Sequence, residues 1–353
     1  MADEKQQPKV LKGEEALALA RQGKDVWNAW AEDHPDWAVI FFRHNFKGEP
    51  ISFEDFVFPG NAIFEDCTFG VMSFSGAEFR GGDARFSSAG FMEGVWFSGA
   101  IFSGGWAEFN DCLFSGTANF DGSEFHAFSS FEGSDFRGAF QLDGAEFNLA
   151  PELRYTQISR HFTLHGVSVD FATSKEGDGW FGWFQKASDI DDSDRFRRLK
   201  ELAKKAENHE SEQDFFAKEL KAKRFYETRG AALVWSYLYE WASDFGRSMY
   251  RPLVGLYAST VLFGFVYWAV ALFSAGGRDV SLDDVSLDNG LKLSLSVLLP
   301  FVAAARTVYG EAKEALFGAG TGLLLDILVV FEGIIGLAFV FLIGLALRNR
   351  FRI

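Results

Sequence analysis

One residue type recurs at nearly constant spacing through the first half of the chain. Between residues 53 and 169 a large apolar residue stands mostly at every fifth or sixth position, and it is Phe except at Leu142, Leu153, Ile158, Leu164 and Val169. A small residue, usually Ala, Ser or Cys, stands two positions before most of them. A helix needs apolar residues at every third or fourth position, and a meander of strands needs alternation over longer runs, so the pattern fits neither.

A chain that turns a corner after each repeat accounts for this spacing. Four sides would close a coil of about 22 residues, and successive coils would hydrogen-bond at a separation of about 4.8 Å. The Phe rings would fill a narrow column, with the small residues beside them. The sequence therefore predicts a β-solenoid over residues 51–170. Glycines two residues after a large residue would allow positive φ angles at its corners: Gly99, Gly104, Gly116, Gly122, Gly133 and Gly144.

The repeat unit, A-x-F-x-G-[AS]-x-F, resembles that of the pentapeptide-repeat family over residues 51–170. The resemblance implies a right-handed quadrilateral β-helix. Phe stands at the central position where Leu is common in the family, and alternate units carry one extra residue. Residues 1–50 are expected to form an N-terminal helical cap, and the segment WNAWAEDHP within them resembles the short helical entry of many members. Residues 171–190 are expected to close the other end of the column with an aromatic cluster: Trp180, Phe181, Trp183 and Phe184.

The solenoid carries few residues suited to catalysis or metal binding. Cys67 and Cys112 occupy equivalent small positions about two coils apart, about 9 to 10 Å by the stacking distance, which is too far for a disulfide. His126, His161 and His165 stand near acids, without a recurring set of nucleophile, base and orienting group. We therefore expect no enzymatic activity, no metal and no cofactor. The net charge of −15 argues against nucleic acid as a partner.

Residues 191–251 are predicted to form a helical hairpin followed by an interfacial helix. An amphipathic helix begins near Asp192, and a second one follows a break at Asn208, with capping-box spacing from Ser211 to Asp214. The pair is expected to act as a spacer or as an oligomer contact. The segment after it carries the aromatic residues typical of a membrane interface: Trp235, Tyr237, Tyr239, Trp241 and Tyr250.

Residues 252–353 contain two apolar runs long enough to cross a bilayer. The first, 252–275, carries no charge and reaches about 36 Å as a helix; the second, 321–347, is of similar length. The apolar piece between them, 291–305, is shorter and is cut by Pro300, which favours a re-entrant helix over a third span. This succession resembles the pore module of two-span cation channels, which assemble as tetramers.

Basic residues next to the two runs predict the orientation of the membrane domain. Arg247 and Arg251 precede the first run, and Arg348, Arg350 and Arg352 follow the second. Such a bias places both chain termini in the cytoplasm. The first ten residues, MADEKQQPKV, lack the pattern of a signal peptide. We therefore expect a multi-pass protein of the cytoplasmic, or inner, membrane.

The resemblance to two-span channels also indicates where a selectivity filter would stand. Thr307, Val308, Tyr309 and Gly310 follow one another without the glycine that separates Val from Tyr in a potassium filter. That glycine supplies a permissive backbone and a carbonyl to the ion cage, so potassium selectivity is not expected. Arg306 directly before them would place positive charge near the mouth of a pore.

Glu332 is the strongest candidate for an ion-pathway residue, because it stands about 15 Å into the second run, where an ionised carboxylate is costly. Two interpretations stay open. A ring of Glu332 side chains lines a pore and gives cation preference or proton-linked gating, or Glu332 is protonated or bonded to a neighbouring helix. Gly333 and Gly336 beside it would act as a hinge or a close helix contact, and Pro300 is a further hinge candidate.

The sequence thus favours an oligomeric ion channel or channel-like protein of unknown selectivity, a homotetramer by resemblance, with a cytoplasmic pentapeptide-repeat domain. The alternative is a membrane-anchored scaffold or sensor that binds a cytosolic protein without conducting ions. The lipid bilayer is a partner in both cases, and a cytosolic protein is a candidate partner in both.

Overall fold

The computed structural model describes residues 9–159, 161–174, 186–274, 285–299, 303–318 and 322–351. The chain divides into two compact units, Met1–Arg229 and Gly230–Ile353. The first unit is a β-solenoid with helices packed at its ends, and the second is helical.

Four parallel sheets form the sides of the solenoid. The first and second sheets consist of Val10–Lys12, Ala38–Ile40, Ala62–Ile63, Ala84–Arg85, Ala107–Glu108 and Ser129–Ser130, and of Met72–Ser73, Val95–Trp96, Ala118–Asn119, Phe140–Gln141 and Phe162–Thr163. The third sheet consists of Val57–Phe58, Glu78–Phe79, Ile101–Phe102, Glu124–Phe125, Glu146–Phe147 and Ser168–Val169. The fourth sheet consists of Thr68–Phe69, Gly90–Phe91, Leu113–Phe114, Asp135–Phe136 and Gln157–Ile158. Ala62 pairs with Ala84 and Ala84 with Ala107, so one coil takes 22 or 23 residues. The predicted coil length is therefore confirmed.

The interior of the solenoid consists of four columns of stacked Phe rings. In one column the rings of Phe79 and Phe102 lie 4.7 Å apart between centroids at 1° to each other. Between columns many contacts are edge-on, as for Phe86 and Phe97, at 5.4 Å and 85°, and others are tilted, as for Phe86 and Phe91 at 41°. Aromatic pairs in the stacked and edge-on geometries contribute about 0.5–1.5 kcal/mol each beyond the area that they bury. The predicted Phe-filled column is thus confirmed.

Glycines meet two different needs at the solenoid corners. Gly99, Gly122, Gly133 and Gly144 have positive φ angles between 63° and 71°, as predicted. Gly104 and Gly116 do not, and for them the prediction of positive φ is wrong. At Gly116 an added Cβ would lie 2.5 Å from the carbonyl carbon of Glu93 in the coil before, so this glycine permits close approach of two coils.

Helices α1 (Gly13–Ala20) and α2 (Lys24–Asp33) lie at the N-terminal end of the solenoid. Trp27 of α2 is fully buried against Phe56 and Phe58. Its indole Nε1 donates a 2.8 Å hydrogen bond to the carbonyl oxygen of Val57. Because strands Val10–Lys12 and Ala38–Ile40 extend the first sheet, the solenoid itself begins inside the segment that the sequence assigns to the cap.

Helices α3 (Asp192–Lys205) and α4 (His209–Ala222) pack together and against the last coils. Arg195, 7% exposed, forms ion pairs with Asp189, Asp192 and Glu152 of the last coil. The two helices therefore belong to the first unit, and their role as a spacer or an oligomer contact stays a prediction. The N-cap of α4 is Asn208, whose side chain accepts from the Ser211 amide, in place of the expected capping box.

The remaining parts of the predicted C-terminal closure lie partly outside the described residues. Strands Thr173–Ser174 and Lys186–Ala187 pair antiparallel after the last coil. The aromatic cluster at residues 180–184 falls outside the described ranges.

The described residues of the second unit form five helices: α5 (Ala231–Ser243), α6 (Tyr250–Ser274), α7 (Leu287–Leu298), α8 (Ala303–Phe317) and α9 (Leu323–Phe351). Helices α6 and α9 correspond to the two predicted spans. The single short helix expected at 291–305 is wrong in its bounds, because one helix ends at Leu298 and another begins at Ala303. Pro300 lies outside the described residues.

Shortening one Phe ring in a column removes contacts that no neighbour can replace. Phe97 is completely buried, so Phe97→Ala is expected to lower the free energy of unfolding of the full chain by about 3–5 kcal/mol. Denaturant titration followed by circular dichroism measures it. Val71→Ala, at a site that is 63% exposed, is the control and should change this free energy by less than about 0.5 kcal/mol. A similar loss of unfolding free energy in the two variants would contradict a stabilising role for the columns of stacked Phe rings.

The two buried cysteines are free, and we expect them to be inert in the native chain. Burial raises the pKa of the Cys67 and Cys112 thiols to about 12, so the reactive thiolate is absent at neutral pH. A colorimetric thiol reagent should label neither residue until denaturant is added. The control variant Ser103→Cys, at an exposed solenoid position, should be labelled at once. Fast labelling of the native wild-type chain would refute the expectation.

Candidate functional site

Glu332 of α9 is fully buried at the junction of three helices. The hydroxyl of Tyr267 on α6 donates a 2.5 Å hydrogen bond to its Oε2. The hydroxyl of Ser294 on α7 donates to its Oε1. Each carboxylate oxygen therefore has a donor from a different helix. Of the two interpretations that the sequence left open, this geometry agrees with the second, in which Glu332 bonds to neighbouring helices.

Close helix contacts hold this polar cluster of Tyr267, Ser294 and Glu332 together. An added Cβ at Gly336 would lie 2.7 Å from Leu298 Cδ2 and 3.1 Å from its Cα, so α9 touches α7 through this glycine. An added Cβ at Gly290 would lie 2.3 Å from the carbonyl oxygen of Gly264, which joins α7 to α6. Small residues permit such approach in helical membrane domains. Gly336 is thus a packing residue, one of the two roles expected for it.

Sequence reasoning missed four members of this arrangement: Tyr267, Ser294, Gly264 and Gly290. A signal exists for two of them, because Gly264 and Tyr267 stand one turn apart in the first apolar run. Residues at this spacing share one helix face, so a glycine beside a polar aromatic residue there marks a face that packs against protein.

The residues at the expected filter position lie inside a helix. Thr307, Val308, Tyr309 and Gly310 belong to α8. In an α-helix the carbonyl groups point along the axis and accept from amides four residues later, so they form no row of free oxygens. The described backbone therefore contains no extended potassium-type filter at residues 307–310.

A groove of about 550 Å³ opens between α7, α8 and α9. Three of the sequence-predicted residues meet in it, namely Arg306, Tyr309 and Gly333. Its other walls are mostly apolar, with Val297 from α7 and Val330 from α9 among them. Gly333 makes only an ordinary contact, since an added Cβ would lie 3.9 Å from Val297 Cγ1. Thr307 and Gly310 are exposed outside the groove.

The solenoid presents fewer side chains suited to catalysis or ligand binding than the second unit does. His126 Nε2 lies 3.0 Å from Glu124 Oε2 on the exposed surface. Within the described ranges no group of three or more His, Cys, Asp or Glu side chains is placed to hold a metal ion.

Helices α6 and α9 are long and apolar enough to cross a membrane, with mean hydropathy of 1.8 and 2.6 over their most apolar windows. Only 22% and 17% of those windows are buried within the chain. Large side chains are left uncovered on both helices, such as Phe273 at 91% and Leu323 at 78% exposure. The two helices therefore present wide apolar faces to whatever surrounds this unit.

Comparison with known proteins bears on the first unit. The family model described as Pentapeptide repeats (9 copies) matches residues 53–101. Together with the four parallel sheets and the Phe columns, the match supports a pentapeptide-repeat β-solenoid. No curated protein and no solved structure matches the chain.

Removing either hydroxyl from the polar cluster should destabilise the second unit. Tyr267→Phe and Ser294→Ala each leave one buried carboxylate oxygen without its donor, a loss of about 1–3 kcal/mol. Thermal unfolding of the full chain in detergent should show a lower midpoint for both variants. Thr260→Val is the control, because the Thr260 hydroxyl donates to Leu256 within its own helix. Unchanged midpoints for both cluster variants would mean that the cluster contributes nothing.

Proposed function

We propose that the chain is an oligomeric membrane channel or channel-like protein with a cytoplasmic pentapeptide-repeat domain and no enzymatic activity. One observation carries the proposal: two long apolar helices, uncovered on most of their surface, flank shorter helices around a buried carboxylate. The proposal rests on the second unit, because Phe rings fill the interior of the described solenoid coils and leave no path through those coils.

The uncovered faces of α6 and α9 support a lipid environment. Contiguous apolar surface of this extent is rare on soluble monomers and common where a bilayer or a partner covers it. Helix α9 has 29 residues, which is about 43 Å and more than the hydrocarbon thickness of a bilayer. The single acid in its middle, Glu332, is satisfied inside the unit, as such a medium requires.

The cations at the helix ends support an inner-membrane location with both termini in the cytoplasm. Arg251 lies in the first turn of α6, and Arg348 and Arg350 lie in the last turn of α9. Helix α5 precedes α6 and exposes Trp235 and Trp241, each at 69%. Tryptophan favours the boundary between headgroups and acyl chains, so α5 is proposed to lie along the inner leaflet.

The helices between the two spans support a conducting role. Helix α7 has 12 residues, about 18 Å, and is too short to cross a bilayer. A short helix between two spans resembles the pore module of two-span channels. Because two spans cannot enclose a path alone, the channel would be a homo-oligomer, and the resemblance implies a tetramer.

One observation favours a second function. The segment at residues 307–310 is helical where a related channel would carry its filter. A scaffold or sensor that uses α6 and α9 as an anchor, and the solenoid to bind a cytosolic protein, needs no filter.

Ion flux separates the two functions. The full chain reconstituted in liposomes should pass ions when a voltage or a salt gradient is applied. Gly336→Val should abolish the flux, because a side chain there would push α9 away from Leu298. Gly344→Val is the matched control on the same helix and should conduct, since an added Cβ at Gly344 meets no described atom within 4 Å. Absence of wild-type flux over a range of voltage and pH would leave the scaffold.

A further inference from the structure

The charged residues of the second unit divide into those that are satisfied inside it and those that are not. Glu332 is buried and accepts hydrogen bonds from Tyr267 and Ser294, so it is withdrawn from any path along the outer surface of α9. Lys292 and Asp288 on α7 pair with each other at 2.5 Å. Neither an acid ring of Glu332 nor a free charge on α7 therefore remains to select ions.

Arg306 is different. It is exposed, and no residue in the described ranges forms an ion pair or hydrogen bond with its guanidinium. It is also the single charged side chain among the described residues that line the groove between α7, α8 and α9. A cation against apolar walls is costly unless an anion or water meets it.

The acids nearby do not neutralise Arg306. Glu311 and Glu314 follow it on α8 by five and eight residues, which turns them about 140° and 80° away around the helix axis. Asp326 of α9 is exposed and lies outside the groove lining, in a smaller hollow that shares Val330 and Ile334 with the groove. Arg306 is therefore the one charge that the described lining of the groove carries.

Two neutral polar groups complete the lining. They are Ser296, whose hydroxyl donates to the carbonyl oxygen of Leu293 within α7, and Tyr309, whose ring centre lies 5.5 Å from the ammonium of Lys313. A phenol hydroxyl such as that of Tyr309 can replace part of the hydration shell of an anion.

We infer that the conduction path runs along this groove and that it passes small inorganic anions, with Arg306 as the selecting residue. The inference rests on the proposed channel function and names its substrate class. Rings of Arg or Lys select anions in pores, whereas acid rings select cations. A cleft of one sign between low-dielectric walls concentrates counter-ions by about tenfold or more.

Reversal potentials test the inference. The full chain is reconstituted in bilayers of neutral phosphatidylcholine, across a potassium chloride gradient. Wild type should prefer chloride over potassium by about tenfold or more. Arg306→Gln should abolish most of the preference, Arg306→Glu should reverse it, and Arg306→Lys should keep it. Lys292→Gln removes a positive charge from α7 outside the groove lining, and Asp326→Asn removes the carboxylate of the neighbouring hollow; both variants should keep the chloride preference.

The outcomes are distinguishable from failure of the channel itself. Currents that favour potassium in the wild type, or an unchanged chloride preference in Arg306→Gln, would overturn the anion path and leave the channel function standing. A preference that follows Asp326→Asn instead of Arg306→Gln would also overturn it. No current from any variant would remove the channel function, and the anion path with it.

Discussion

The match between two spacings holds the solenoid together. Strands of neighbouring coils lie about 4.8 Å apart because backbone hydrogen bonds require it. Stacked Phe rings in the columns have centroid separations from 4.4 Å to 5.1 Å. The same separation between coils therefore suits both the backbone hydrogen bonds and the contacts between stacked rings. Two-residue strands enclose one narrow interior, so the stability of a coil depends on filling that interior with one flat ring per side.

The second unit is held together by close contacts between helices and not by stacked rings. Its helices have little apolar core of their own, and most of α6 and α9 is uncovered. Glycines at the helix crossings bring α7 close to both α6 and α9. The hydroxyl groups of Tyr267 on α6 and Ser294 on α7 therefore reach the carboxylate of Glu332 on α9. A helix pair held at the usual distance by larger side chains would leave Glu332 without donors, and burial of that group would be unfavourable.

The solenoid was predictable in detail because its side chains obey a local rule. Each Phe follows from its position in the repeat, so coil length, interior and the corner at Gly99 could be stated from residue order. The rule ends where contacts become long-range. The pairing of Arg195 with Glu152 of the last coil, 43 residues earlier, is not encoded in any spacing, so the packing of α3 and α4 against that coil was not predicted. In the second unit the two long helices followed from hydropathy. The bounds of α7 and α8 did not follow from hydropathy. Pro300 suggested a single interrupted helix, and the residues of α8 are a mixture of apolar and charged types.

The role of Glu332 could not be predicted for a rotational reason. Glu332 and Gly333 are neighbours in sequence, and their directions from the α9 axis differ by about 100°. One points into the junction with α6 and α7, while the other lines the groove that contains Arg306. Gly336, one turn after Glu332, lies on the same face of α9 as the carboxylate, and its close approach to Leu298 holds that face against α7. A rotation of α9 by about 100°, the angle of one residue, would turn the Glu332 carboxylate into the groove. There it would neutralise the charge of the Arg306 guanidinium. The same glycine contact that satisfies the buried acid thus leaves the cation as the charge that the groove presents.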